Sequence, residues 1–117
     1  EEIDHVGAGL QGQNFGWRLR EAKHPYNDGA PPAGGVDPEL ELSHSAGWCA
    51  IGGGYAYRGT AIRGFGGTYL FTDNCRGEIV TAAGGGAHDL GIHVDQPSSF
   101  GEDAHGELWV LSLGVAV

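Results

Sequence analysis

The chain has 117 residues, 23 of them glycine, and a formal net charge of −9. The glycines are scattered among large apolar residues without a Gly-X-Y period, which excludes collagen, and the negative charge argues against nucleic acid as a partner. The chain has no run of about 18 apolar residues to span a membrane as a helix, and because it contains no Met, we expect a processed product or a piece of a longer protein.

Glycine and proline interrupt almost every window of twelve residues, so the sequence predicts short strands rather than helices. Residues 23–38 contain four of the five prolines and predict a long surface loop, which is often a binding or lid element. Polar and apolar residues then alternate at 39–42 and again around 54–57, as half-buried strands require.

Two hairpins are predicted in the second half of the chain, each with β-prone strands around turn-forming residues. Their strands are residues 68–72 with 77–81, and 98–100 with 108–111. Residues 83–87 form a glycine-rich break between them. The whole chain thus contains eight or nine short strands, enough for about two four-stranded sheets, which favours propeller blades over a closed barrel.

The two cysteines, Cys49 and Cys75, could form a disulfide, remain free thiols or supply half of a metal site. Neither lies in a CxxC pair, and no His is placed to complete a zinc-finger pattern, which argues against structural zinc. A disulfide, which we favour, would place the protein outside the cytosol, in a secreted or periplasmic setting.

Five stretches carry a resemblance to a known family. They are Glu1–Asp4 with Asn14–Trp17 as a strand pair, Trp48–Gly59 (WCAIGGGYAYRG), Gly67–Ile79 (GTYLFTDNCRGEI) and Ser99–Val110 (SFGEDAHGELWV). In this order, and over nearly the whole chain, they resemble glucose/sorbosone dehydrogenase-like six-bladed β-propellers. The resemblance implies an all-β fold in which residues 1–117 form about two four-stranded C-terminal blades, with the loop 23–38 within them and a disulfide between Cys49 and Cys75.

The resemblance also implies a chemistry. Members of this family bind pyrroloquinoline quinone (PQQ) with calcium and oxidise sugars with a His base, but the blades that carry the base and the calcium ligands are not in this chain. The sequence departs from the cofactor-binding members at two places. The hairpin tip has Cys75-Arg76 in place of a Lys, and Gln96-Pro97-Ser98 replaces an Arg-x-Arg. The loss of those cations should weaken binding of a tricarboxylate cofactor.

Aromatic and basic residues are the candidate ligand contacts. Tyr55 and Tyr57 are two apart and are expected to share one face, where they could pack as an aromatic ladder or line a central channel. Arg58 and Arg76 could contact a sugar or a cofactor, and ion-paired surface arginine is the alternative.

Histidine and carboxylate residues are the candidate catalytic and metal groups. His88 and His93 have carboxylates close in sequence, Asp95 among them, and could act as a general base, with plain surface positions as the alternative. Glu102 and Asp103 lie at a predicted hairpin turn, and such oxygen-rich turns suit calcium. The alternative is a solvated acidic edge that discourages sheet aggregation.

Three functions follow as hypotheses. The first is a secreted sugar dehydrogenase-like propeller acting on carbohydrates. The second is a calcium-dependent lactone hydrolase on a propeller assembled from several chains. The third is a non-catalytic propeller that binds glycans or proteins. Because two blades cannot close a ring, we expect further blades from a longer chain or a trimer of this chain.

Overall fold

The computed structural model describes residues 1–26, 30 and 34–114, which fold into short antiparallel strands with no α-helix among them. The all-β prediction is confirmed. None of the described residues belongs to a helix long and apolar enough to cross a membrane. The chain divides into two compact units, residues 1–46 and 47–117.

The described residues of the first unit form two strand pairs, in which every strand is two residues long. β1 (Glu2–Ile3) pairs with β4 (Leu40–Glu41), and β2 (Arg20–Glu21) pairs with β3 (His24–Pro25). A single 3-10 turn follows at His44–Ala46. The predicted loop 23–38 therefore begins with β3, while its residues 27–29 and 31–33 lie outside the described residues.

The partner of the first strand differs from the expectation. The resemblance implied that Glu1–Asp4 pairs with Asn14–Trp17, whereas β1 pairs with β4. The segment 14–17 forms a turn instead, because the Asn14 side chain accepts a hydrogen bond from the Gly16 N–H at 2.9 Å and Gly16 has a φ of 99°. That left-handed backbone conformation interrupts the regular geometry of a strand.

The second unit contains the largest sheet, an antiparallel meander of four strands. Its strands are β5 (Ile51–Ala56), β6 (Tyr69–Asp73), β7 (Glu78–Ala83) and β8 (Gly86–His93). The hairpin of β9 (Pro97–Glu102) and β10 (Leu108–Ser112) follows, and β9 packs beside β5. Both predicted hairpins are present.

The sequence did not predict β8. The glycine-rich segment 83–87 is a tight turn rather than a break, since Ala83 pairs with Gly86 across Gly84 and Gly85. Both of these glycines have positive φ, 61° and 75°, as a two-residue hairpin turn requires.

The meander is buried on both faces, since Phe71 and Val80 are fully buried as well as their neighbours Leu70 and Ile79. Tyr57, Leu70 and Ile79 form a buried cluster, and Phe100 and Val110 from the β9–β10 hairpin pack against it. The described residues thus form one four-stranded sheet and three strand pairs, with no closed sheet. The propeller architecture remains an expectation.

Candidate functional site

The Cys49–Cys75 disulfide, which is confirmed, ties the segment before β5 to the tip of the β6–β7 hairpin, with Cα atoms 5.9 Å apart. Beside it lies Asp73, the fully buried last residue of β6. Asp73 Oδ2 accepts the backbone N–H groups of Cys49 and Ala50 at 2.9 and 2.8 Å. Its Oδ1 accepts those of Cys75 and Arg76, both at 3.0 Å. We call these five residues the strand-end clasp.

The clasp is a structural device rather than a metal centre. Burial by itself would raise the pKa of Asp73, but the four backbone N–H groups outweigh it and lower the pKa below its ordinary value. Potential ligand atoms of Cys49, Asp73 and Cys75 lie within 4.8 Å of one another, and no other such group of three exists in the described part of the chain. Both sulfurs are consumed by the disulfide, so they cannot act as thiolate ligands.

Arg76, a candidate cofactor contact, is engaged within the protein. Its guanidinium lies 2.7 Å from the Glu78 carboxylate and 4.4 Å above the centroid of the Trp48 ring. The segment that replaces Arg-x-Arg contains the buried Pro97, whose carbonyl accepts a hydrogen bond from the Asn74 side chain at 3.2 Å. These residues do not fit a tricarboxylate, because none of them presents an unpaired cation to it.

Tyr57 is a core residue. Its ring is buried and meets Phe65 edge-on at 6.3 Å, and its hydroxyl donates to Glu107 Oε2 at 2.6 Å. Glu107 Oε1 accepts the N–H groups of Thr60 and Ala61 at 2.9 and 3.0 Å. The Tyr57 hydroxyl, followed by these N–H groups, lowers the pKa of Glu107. Glu107 therefore fixes the loop between β5 and β6.

Tyr55 does not share the environment of Tyr57. Its ring is exposed, and the pairing of β5 with β6 shifts register between Gly52 and Tyr55. Of the two tyrosines, only Tyr55 presents its ring to solvent. Arg58 is also exposed and lies 3.5 Å from the Glu102 carboxylate.

The predicted calcium ligands have different roles. Asp103 Oδ1 accepts the N–H groups of His105 and Glu107 at 2.8 and 3.0 Å, and its Oδ2 lies 3.4 Å from the Trp109 indole nitrogen. The two backbone hydrogen bonds lower the pKa of Asp103. Glu102 Oε1, in contrast, is buried and has no hydrogen-bond partner, an arrangement that a cation would relieve. Calcium binding at Glu102 stays a prediction. The Asp103 carboxylate already accepts hydrogen bonds within the turn.

The candidate catalytic residues are dispersed. His88 Nε2 lies 3.1 Å from the Ala83 carbonyl, so its ring folds back on the β7–β8 turn. His93 lies opposite Glu78 at the other end of β8. His88, His93 and Asp95 are all exposed, and no hydrogen bond joins them in the described part of the chain. The structure does not assemble them into a catalytic group.

A small cavity in the first unit was not predicted. It has a volume of about 160 Å³ and is lined by the titratable residues Glu1, Glu21, His24, Glu41 and His44. His24 Nε2 lies 2.7 Å from Glu41 Oε1, and this hydrogen bond lowers the pKa of Glu41. Glu41 thus lies beside His24, and Glu1 lies beside His44, with Nε2–Oε1 distances of 2.7 and 3.3 Å.

An exposed aromatic pair in the first unit was also not predicted. The rings of Trp17 and Tyr26 lie 6.0 Å apart and are inclined by 25°, and the Trp17 side chain is 77% exposed. The β2–β3 hairpin holds them together, because the Tyr26 N–H donates to the Leu19 carbonyl at 2.8 Å. The pair is a flat apolar surface open to solvent.

Comparisons of the chain with family models, with curated proteins and with solved structures found no match. The resemblance to the sugar dehydrogenase propellers therefore rests on the five sequence stretches alone.

Proposed function

We propose that this chain forms blades of a secreted six-bladed propeller of the glucose/sorbosone dehydrogenase type that acts on carbohydrate-type substrates. One observation carries the proposal. The four strands β5–β8 form an antiparallel meander that ends at one edge of the sheet. The chain then returns to the other edge, where β9 starts beside β5. A propeller repeats this path from blade to blade, so that the first strand of each blade lies near the axis.

Within that propeller, we assign this chain a scaffold role and not the oxidation chemistry. Arg76 is paired with Glu78, and Gln96-Pro97-Ser98 supplies no cation for a quinone carboxylate. The candidate histidines His88 and His93 lie exposed on β8 without a shared partner. The disulfide supports a secreted or periplasmic setting, because disulfides persist in oxidising compartments.

The experiment adds PQQ, calcium, glucose and an electron-acceptor dye to the purified chain, with a lactone as a parallel substrate. We expect no dye reduction from this chain alone. Robust reduction would show that the scaffold assignment is wrong. Lactone opening that requires calcium, without dye reduction, would instead favour the hydrolase on a multi-chain propeller.

The exposed aromatic pair favours a second candidate, a non-catalytic propeller that binds glycans. The C–H face of a pyranose ring packs well on a flat aromatic surface, and Trp and Tyr provide one at low entropic cost. The net charge of −9 favours neutral over anionic glycans.

Titration of single variants with neutral oligosaccharides distinguishes the two candidate glycan sites, one at Trp17 and one at Tyr55. Trp17→Ala should abolish glycan binding if the aromatic pair is the site, whereas Tyr55→Ala should abolish it if the sequence-predicted tyrosine is the site. Both side chains are exposed, so neither substitution should disturb the fold. Binding that survives both substitutions would contradict the glycan-binding candidate.

A further inference from the structure

The β2–β3 hairpin brings two features of the first unit to one face, the aromatic pair and the small cavity. Glu21 pairs with His24 across the hairpin, and both residues line the cavity. Tyr26 follows His24 by two positions and extends the pairing, because its N–H donates to the Leu19 carbonyl at 2.8 Å. Residues two apart in an extended strand share a face and are separated by about 6–7 Å. The pairing therefore places the Tyr26 ring on the side of the hairpin that faces the cavity.

The cavity is rich in negative charge. Three of its lining residues, Glu1, Glu21 and Glu41, carry carboxylates. The α-ammonium of Glu1 lies 3.3 Å from Glu21 Oε1 and donates to the Leu42 carbonyl at 3.2 Å, so the lining groups already hold one ammonium. The carboxylates still outnumber it, and the Glu21 side chain is 43% exposed. A second ammonium can therefore reach the cavity from solvent and pair with Glu21.

An amino sugar combines the two contacts on one rigid ring. The C–H face of a pyranose packs on an aromatic surface, and an ammonium on a ring carbon lies close to that face. The rings of Trp17 and Tyr26 are inclined by only 25° and offer such a surface beside the carboxylates. A lysine side chain would have to order its flexible stem to make both contacts, at a cost in conformational entropy. The arrangement thus favours an amino sugar over a basic peptide.

We propose that the β2–β3 hairpin binds a glycan with free amino groups, of the glucosamine type. One pyranose lies on the Trp17–Tyr26 pair, and its ammonium pairs with the Glu21 carboxylate. The inference rests on the glycan-binding candidate for function, to which it adds the class of glycan and the residue that selects it. The net charge of −9 acts in the same direction, because it attracts a cationic glycan.

Isothermal titration calorimetry with the trisaccharides of glucosamine and of N-acetylglucosamine, at low ionic strength, tests the proposal. Acetylation removes the ammonium and keeps the ring, so the glucosamine trimer should bind about tenfold more tightly, as expected for one charge-assisted hydrogen bond. Glu21→Gln should remove that preference and leave binding of the N-acetylglucosamine trimer unchanged. Trp17→Ala should abolish binding of both sugars.

Glu39→Gln is the matched control. Glu39 is an exposed carboxylate of the same unit that pairs with His5 at 3.2 Å and lies outside the lining of the cavity. Its substitution removes the same charge, and the preference should remain.

Three outcomes would overturn the proposal, and they are distinguishable. Equal binding of the two sugars, or equal loss of the preference in the Glu21 and Glu39 variants, overturns the amino-sugar inference while glycan binding itself stands. Binding of neither sugar overturns the inference together with the glycan-binding candidate. Oligolysine that binds as tightly as the glucosamine trimer, and no longer binds Trp17→Ala, overturns it in favour of a basic peptide.

Discussion

Asp73→Asn tests whether the strand-end clasp stabilises the second unit. The carboxylate accepts four backbone N–H groups, two on each oxygen, and an amide keeps only one of its two acceptors. Two buried N–H groups then lose their partner and face the NH2 group. A hydrogen bond to a charged group contributes about 1.5–3 kcal/mol, so the loss of two should lower the free energy of unfolding by about 3–6 kcal/mol.

Urea unfolding of both proteins measures the difference. Asp89→Asn is the matched control, because Asp89 is exposed and accepts one N–H, from Gly91 at 2.8 Å. This substitution should lower the free energy of unfolding by less than about 1 kcal/mol. The pKa of folded Asp73 is lower than its ordinary value of 3.8. The stabilisation by its charge is therefore present above pH 3.8 and lost as the pH falls through the folded pKa.

The gap between wild type and Asp73→Asn should consequently be constant near neutral pH and narrow below about pH 4. Equal losses for the Asp73 and Asp89 variants, or a gap that does not change in acid, would refute the assignment of the stabilisation to the buried carboxylate.

Three further predictions concern the second unit. Replacing Cys49 and Cys75 by Ser should lower the free energy of unfolding by about 3 kcal/mol, because the 26-residue separation leaves a long loop unconstrained in the unfolded chain; urea unfolding with no measurable loss would contradict this. Glu107→Gln should speed amide hydrogen exchange in residues 58–67, where Glu107 holds the loop, and unchanged exchange would count against that role. Calcium should raise the melting temperature and a chelator should lower it, with Glu102→Gln abolishing both effects; a melting curve indifferent to chelator removes the calcium prediction.

The hairpins were predictable because their turns have local chemical signals. The turn from β6 to β7 starts at Asp73, the last residue of β6, and continues with Asn74, and both residue types favour turns through side-chain hydrogen bonds. The strand β8 was missed because Gly84 and Gly85 equally suit a break and a tight turn, and only pairing with β7 distinguishes the two. Strand pairing over long sequence separations, such as β1 with β4, leaves no local signal.

The site residues were predictable only in part. The disulfide followed from the resemblance, but the burial of Tyr57 depends on Phe65 and Glu107, which reach it from outside β5. The aromatic pair of Trp17 and Tyr26 forms across the β2–β3 hairpin, where two-residue strands are too short to show a period. Sequence patterns thus located the turn-forming residues, whereas the exposure of each aromatic side chain is set by tertiary packing.

The most direct test of the propeller is an experimental structure of the protein in its assembled state. The account predicts that the β5–β8 and β9–β10 sheets are successive blades around one axis, with β5 and β9 nearest to that axis and lining a central channel. Sheets that share no axis, with β5 and β9 at the periphery, would contradict it.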